Sequence, residues 1–242
     1  TPITNLICVN FPIAQLCRVA RQSGGMIVGC KAIDAMRDTN AVMVDSTDLF
    51  PKGSVSLSGM KTFGEKRIDR AILDAAALMS ATGGTLREVF DNVIQERRGK
   101  LPPVEGATYE DEMGVSGWVA GKHILVGNRA LLHKYKVNPP DEEFERQHRS
   151  SSKQVIYLAA DQELCAMFIL TYEPDRKMAV EIQRLEQNGI AMIVRTLDPN
   201  LTPEFLARRF ELDPHAIHIL PASLGPYCDD ALNEITEEYE AI

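Results

Sequence analysis

The sequence predicts an α/β protein in which a parallel-sheet domain is interrupted by an α+β block that contains an antiparallel sheet. Two observations predict this. Four consecutive apolar residues at 41–44 end on Asp45, and apolar strands return at 190–194 and 217–220 with helical patterns between them. Runs of this kind are typical of strands buried on both faces of a parallel sheet. The long segment between 53 and 171 instead carries strand-like runs bounded by turn signals.

The individual elements follow from the period of the apolar residues. Apolar residues at helical spacing predict a helix over 11–23, which Gly24 and Gly25 end, and a shorter helical pattern covers 32–36. The interrupting block is predicted to contain a strand at 54–57, helices at 66–80 and 84–98, strands at 115–120, 122–126, 154–160 and 164–170, and a helix and loop within 141–153. After Pro174 we expect a helix around 179–185 and another near 203–210, each followed by a strand. The predicted domains are therefore 1–52 with 172–242, and 53–171.

Charge and cysteine content exclude several classes of protein. The formal net charge is −8, and the C-terminal stretch concentrates acidic residues, so we expect no nucleic-acid partner. The five cysteines are odd in number and widely spaced, which favours reduced thiols over a zinc site or a disulfide framework. The longest apolar run, Leu164–Leu170, is far shorter than the roughly 20 residues that span a bilayer.

Asp45 is the first candidate functional residue, because it ends an apolar strand. Open α/β sheets place their ligands at the carboxyl ends of the strands. An aspartate in this position is also a common turn or helix cap, and the same alternative applies to Asp198, which precedes Pro199.

The motifs around these residues resemble those of one family. The run from Val42 to Gly53 resembles the P-type ATPase signature, an apolar strand followed by DKTGTLT and a nearby Gly; Asp45, Thr47 and Gly53 match. The segment 114–128 is similar to the nucleotide domain of the family's heavy-metal branch, including its closing Val-Gly-Asn. Residues 172–176 resemble the Asp-Pro-x-Arg hinge, and 194–198 the Thr-Gly-Asp motif.

This resemblance implies a haloacid-dehalogenase-like phosphorylation domain split by a nucleotide-binding domain. It implies Asp45 as the nucleophile that attacks the γ-phosphoryl group of ATP, with Thr196 and Asp198 facing the phosphoryl group and the nucleophile loop. Mg²⁺ would be held by Asp45 and the Thr47 carbonyl. Gly114, Gly127 and Asn128 would lie in the nucleotide site.

The implied partners are ATP and the chain's own transmembrane domain in the full-length protein. The location implied is the cytoplasmic side of a membrane, as part of an integral membrane protein. The family's later Gly-Asp-Gly segment is not among these residues, so we expect the sheet domain to be incomplete over 1–242.

Several positions depart from the family pattern. Ser46 replaces the lysine beside the nucleophile, and no lysine follows Lys177, although the family uses one after the third strand. Thr82 and Gly83 replace the adenine-binding His-Pro pair, and the Gly-x-Gly turn reads Glu112-Met113-Gly114. We therefore expect impaired turnover and weak or absent ATP binding. A catalytically inactive pseudo-ATPase with a binding or regulatory role is the alternative; a free-standing phosphatase is disfavoured, because Thr47 stands where those enzymes carry their general acid.

Overall fold

A computed structural model describes residues 11–22, 25–27, 33, 36–64, 68–94 and 101–231. The chain divides into two compact units, Thr1–Asn40 and Ala41–Ile242. In the first unit the described helix is α1, Phe11–Gln22, as the apolar spacing predicted. Most of the predicted helical pattern at 32–36 lies outside the described residues. No helix in the described part of the chain combines the length and apolar character needed to cross a membrane.

The second unit contains a three-stranded parallel sheet. Its strands are β1 (Ala41–Asp45), β8 (Ala191–Arg195) and β9 (Ile217–Leu220), in the order β1-β8-β9. The strand ends are in register, because Asp45 pairs with Arg195 and Arg195 pairs with Leu220. The four-residue helix α2 (Ser46–Leu49) follows β1 directly, and helices α7 (Arg176–Gln187) and α8 (Pro203–Phe210) precede β8 and β9.

The same unit contains a six-stranded sheet in the order β2-β7-β6-β5-β4-β3, all of whose pairs are antiparallel. Its strands are β2 (Val55–Thr62), β3 (Val104–Glu110), β4 (Gly114–Val119), β5 (Lys122–Gly127), β6 (Lys153–Ala160) and β7 (Glu163–Tyr172). Helices α3 (Ile68–Thr82) and α4 (Thr85–Ile94) connect β2 to β3, while α5 (Arg129–Lys134) and α6 (Glu142–His148) connect β5 to β6.

The two sheets share a hydrophobic core. Aromatic rings connect them: the ring centroid of Phe50 lies 5.5 Å from that of Tyr172 and 5.7 Å from that of Phe210, and Tyr172 lies 5.2 Å from Phe205. Tyr172 ends the antiparallel sheet and is fully buried. We call the six-stranded sheet and its helices α3 to α6 the antiparallel lobe. This lobe is therefore packed against the parallel sheet and its helices.

The predicted fold class, a parallel sheet combined with an antiparallel sheet, is confirmed. Two details differ from prediction. The strand at 41–44 was expected to be buried on both faces, but every residue of β1 is only half-buried, and β1 lies at the edge of the described sheet. Strand β3 was not predicted, since most of its residues are exposed and its apolar alternation is weak. The predicted boundaries between domains stay a prediction.

Candidate functional site

The carboxyl edge of the parallel sheet brings Asp45 beside a cation from the neighbouring strand. Because β1 and β8 are parallel and in register, the last residue of each lies at the same edge. The guanidinium of Arg195 donates from Nε to Asp45 Oδ1 at 2.5 Å and from Nη2 to Asp45 Oδ2 at 2.9 Å. This is a two-pronged ion pair, which fixes the orientation of both groups.

Arg195 also contacts a second carboxylate. Its Nη1 donates to Asp229 Oδ1 at 2.5 Å, and Asp229 lies in the helical stretch 225–231 that follows β9. The side chains of Asp45, Arg195 and Asp229 are 39%, 35% and 56% exposed, so solvent screens these pairs. The hydrogen bonds from Arg195 hold the pKa of Asp45 below its ordinary value despite partial burial.

A pocket of about 230 Å³ opens at this edge. Asp45, Thr47 and Thr196 line it, although Thr196 is remote from the other two in sequence, and Gly84 reaches it from the start of α4. The two loops therefore lie side by side, as the predicted parallel sheet requires. The volume is below the roughly 300–1,000 Å³ of typical small-molecule sites, so it suits a phosphoryl-sized group better than a whole nucleotide.

Asp198 does not line that pocket. Its side chain is buried, with 2% exposed, and accepts hydrogen bonds from the Tyr172 hydroxyl at 2.6 Å and the Thr85 hydroxyl at 3.3 Å. The backbone N–H of Asn200 donates to its other oxygen at 3.0 Å, which is the turn geometry that Asp commonly adopts. Asp198 thus joins the loop after β8 to the antiparallel lobe.

Burial dominates the electrostatics of Asp198. Desolvation raises its pKa from 3.8 to about 6, against the lowering effect of the hydrogen bonds from Tyr172, Asn200 and Thr85. Burial beside this carboxylate also raises the pKa of the Tyr172 hydroxyl well above its ordinary value. The backbone N–H of Asp198 donates to Thr196 Oγ1 at 3.0 Å, so this network reaches the pocket through Thr196.

The structure brings Gly114, Gly127 and Asn128 together. Gly114 pairs with Gly127 between β4 and β5, and a Cβ on Gly127 would lie 2.2 Å from the carbonyl oxygen of Met113. Asn128 caps α5, since its side-chain oxygen accepts from the N–H groups of Ala130 and Leu131. Its amide donates to the Glu112 carbonyl at 2.7 Å. All three residues therefore have packing or capping roles in this arrangement.

The turn between β3 and β4 contacts the parallel-sheet edge directly. Asp111 Oδ1 accepts from the backbone N–H of Ala222 at 2.8 Å. Ala222 begins the short 3-10 helix Ala222–Leu224 after β9, where the family's second lysine is expected. Thr82, at the position of the adenine-binding histidine, lies within 3.3 Å of the carbonyl oxygens of Leu78 and Met79 and donates its hydroxyl within its own helix.

Metal ligands at the pocket are few. Among the residues that the structure describes, no group of three or more His, Cys, Asp and Glu side chains could hold a metal ion. Each Asp45 oxygen accepts from Arg195 and keeps a further lone pair. Asp45 is the carboxylate that lines the pocket, and Mg²⁺ commonly binds one or two carboxylates while keeping waters and phosphate oxygens.

These features define an α/β protein in which Asp45 lines a pocket at a strand end of the parallel sheet, with an antiparallel sheet packed against the same core. The chain is 28% identical over 204 residues to a copper-exporting P-type ATPase of Legionella pneumophila, covering 83% of this chain and 27% of the relative. It is 25% identical over 208 residues to a copper-transporting P-type ATPase of Rhizobium leguminosarum, covering 86% and 25%. The chain spans about a quarter of the length of these relatives. No family model matches it.

Among solved structures, the catalytic domain of the CPx-ATPase CopB-B matches with a TM-score of 0.50 and 13% identity, over 81% of this chain and 66% of that one. This likeness supports the fold. Over most of its length the chain is therefore similar to part of the copper-transporting P-type ATPases, and its fold is similar to that of the CPx-ATPase catalytic domain.

Sequence reasoning missed Arg195 and Asp111. Arg195 directly precedes Thr196 in a motif recognised by its threonine and aspartate, so it attracted no interpretation. The parallel register was a usable signal, because Asp45 and Arg195 each directly follow the apolar run of a predicted strand in the same sheet. Asp111 had no comparable signal, since its contact with Ala222 spans 111 residues of sequence.

Proposed function

We propose that the chain is the phosphorylation and nucleotide-domain region of a heavy-metal P-type-ATPase-like membrane protein, with Asp45 at the phosphoryl-acceptor position and with impaired use of ATP. The observation that carries this proposal is the convergence of Asp45, Thr47 and Thr196 on one pocket at the carboxyl edge of the parallel sheet. The transported cation, the transmembrane partner and the location on the cytoplasmic side of a membrane belong to the same proposal.

The proposed reaction is attack by an Asp45 carboxylate oxygen on the γ-phosphorus of ATP. The P–O bond to the ADP oxygen breaks, and the phosphoryl group passes to Asp45 as an acyl phosphate. Thr47 and Thr196 lie where their polar groups could orient the phosphoryl oxygens. Mg²⁺ would be held by the Asp45 carboxylate and the Thr47 carbonyl, and when bound it offsets negative charge on the transferring group.

Impairment is proposed from three local features. Ser46 carries no charge where the family has a lysine, and removing one preorganised donor typically costs on the order of 10²–10³ in rate. Asp198 is turned into a buried network instead of toward the pocket. The Asp111–Ala222 hydrogen bond joins the β3–β4 turn to the loop after β9, which lines the pocket, and we propose that this contact restricts the access of a nucleotide.

Labelling with [γ-³²P]ATP and Mg²⁺, followed by acid quench and hydroxylamine treatment, tests the proposal. We expect slow, substoichiometric, hydroxylamine-sensitive label that Asp45→Asn abolishes. Asp48→Asn is the matched control, because Asp48 is the next carboxylate along the chain and accepts the Asp45 backbone N–H at 3.3 Å. Label that persists in Asp45→Asn would overturn the assignment of the acceptor.

The alternative function is a pseudo-ATPase module that binds a partner or regulates its own membrane domain without hydrolysis. The closed contact between Asp111 and Ala222 favours it, as does the internal hydrogen bonding of Thr82. This alternative would be supported over impaired catalysis if neither the unsubstituted chain nor the Asp111→Ala variant were labelled at any ATP concentration.

A further inference from the structure

The carboxyl edge of the parallel sheet carries three charged groups in contact. Asp45 ends β1, Arg195 ends the central strand β8, and Asp229 comes from the helical stretch after β9. In the described part of the chain, Arg195 is the cationic side chain that lines the pocket. The family's two lysines are both replaced here, the first by Ser46 and the second by the lysine-free stretch after β9.

We propose that Arg195 is the charge-neutralising residue of the acceptor site, taking from the central strand the role that a lysine after the third strand has in the homologous ATPases. This proposal rests on the proposed function of Asp45. It adds Arg195, a residue of the 194–198 motif to which the resemblance assigned no role.

The geometry suits that role in two respects. Arg195 already bonds both oxygens of the carboxylate that would accept the phosphoryl group. A planar guanidinium offers five donors in a fork that matches carboxylate and phosphate alike. When the phosphoryl group is on Asp45, donors freed from the carboxylate can turn to its oxygens without leaving the edge.

The strand position explains why this cation is well placed. Arg195 is the last residue of the central strand, paired with Asp45 on one side and Leu220 on the other. Both neighbouring strands fix the backbone at this point, so the Cα position from which the Arg195 side chain extends is well defined. A group held in place before the reaction stabilises developing charge without reorganisation.

Asp229 competes with the pocket for the Arg195 guanidinium. It accepts from Nη1 of Arg195, and so withdraws one of the guanidinium donors from the pocket. Its negative charge also opposes an incoming phosphoryl group. Removing that charge should strengthen binding of a phosphate analogue, whereas removing Arg195 should weaken it.

Beryllofluoride binding in the presence of Mg²⁺, followed by ¹⁹F NMR on the 242-residue chain, tests the proposal without requiring ATP. We expect Arg195→Ala to raise the half-saturating beryllofluoride concentration at least about tenfold, since a hydrogen bond to a charged group typically contributes this much. Arg195→Lys should recover most of the loss. Asp229→Asn should lower the half-saturating concentration by about two- to fivefold, within the range of an exposed ion pair.

The matched control is Arg184→Ala, which removes an arginine from the exposed ion pair with Glu181 on α7, and it should bind as the unsubstituted chain does. Thermal unfolding of each variant accompanies the titration. If Arg195→Ala does not fold, Asp229→Asn decides, and unchanged or weaker binding in that variant overturns the proposal.

The remaining outcomes separate the two proposals. Equal binding by the unsubstituted chain and a folded Arg195→Ala variant would overturn the role of Arg195 and leave Asp45 as the acceptor. No bound signal in the unsubstituted chain would overturn the acceptor itself, and the role of Arg195 with it. Loss in a folded Lys52→Ala variant but not in Arg195→Ala would assign the charge to Lys52, which lines neighbouring pockets together with Thr47.

Discussion

Replacing Asp198 by asparagine should change how the stability of the chain depends on pH. Burial raises the pKa of Asp198 from 3.8 to about 6 in the folded protein. A carboxyl whose folded pKa is raised favours the folded state while it is protonated, and this advantage is lost as pH rises through the window between the unfolded and folded values. Stability attributable to Asp198 therefore falls between about pH 4 and pH 6 and is constant above.

The magnitude follows from the size of the shift. About two pKa units at 1.36 kcal/mol per unit give a cost of about 3 kcal/mol at pH 7, of which about 1 kcal/mol is already present at pH 4.5. The side chain in the Asp198→Asn variant is uncharged at every pH, so this variant lacks the free-energy cost of ionising a buried carboxyl. The difference in unfolding free energy between the two chains should thus shift by about 2 kcal/mol between pH 4.5 and pH 7.

Urea unfolding at both pH values, followed by far-UV circular dichroism, measures this difference. Comparing the two chains at each pH cancels the contributions that their shared titratable groups make to the unfolding free energy. The absolute stability of the variant at pH 7 also includes the hydroxyl partners that the amide leaves unsatisfied, at about 1–3 kcal/mol. Asp213→Asn is the control, because Asp213 is exposed and likewise accepts a backbone N–H, from His215. A difference between the Asp198 variant and the unsubstituted chain that is the same at both pH values would refute the reasoning.

Three further predictions concern packing, a buried ion-pair network and ATP. Gly127→Ala should lower the free energy of unfolding, measured with urea, by at least about 2 kcal/mol, because its Cβ would overlap backbone atoms. The control is Gly225→Ala, whose Cβ meets no atom within 4 Å and which should change this free energy little. Glu145→Ala should lower the free energy of unfolding by about 3 kcal/mol, since the buried carboxylate accepts from Arg129, Arg149 and Tyr157. The control is Glu143→Ala, on the exposed face of the same helix. An equal loss of stability in both variants would contradict the argument. Isothermal titration with Mg-ATP should show no micromolar binding, and micromolar affinity would contradict the proposed impairment of ATP use.

The sequence was sufficient to predict the two kinds of sheet and the convergence of the loops after β1 and β8. Apolar runs at 41–44 and 190–194 mark strands, and the register of parallel strands then brings Asp45 to Thr196. The half-buried state of β1 could not be predicted in the same way. An apolar run shows that a strand is compatible with burial, but whether a neighbour covers each face is a property of the whole sheet.

The partners of individual side chains were the other feature that the sequence could not predict. Asp198 matches a motif position, yet it does not line the pocket, and its carboxylate instead accepts from the buried hydroxyls of Tyr172 and Thr85. Local sequence does not contain those partners, which come from β7 and α4. Strand β3 escaped prediction for a related reason, since exposed edge residues such as Glu105 and Thr108 carry no apolar period.

The same contacts that hide Asp198 explain how the acceptor edge and the antiparallel lobe are coupled. One connection runs from Thr85 and Tyr172 through Asp198 to Thr196 at the pocket, and the other runs from Asp111 to Ala222. Both join the lobe to loops that follow parallel strands, the first to the loop after β8 and the second to the loop after β9. Under the proposed function the Asp111 contact restricts nucleotide access, which predicts that small phosphate analogues bind at Asp45 more readily than ATP. Arg195 is the cationic side chain that lines the pocket beside Asp45.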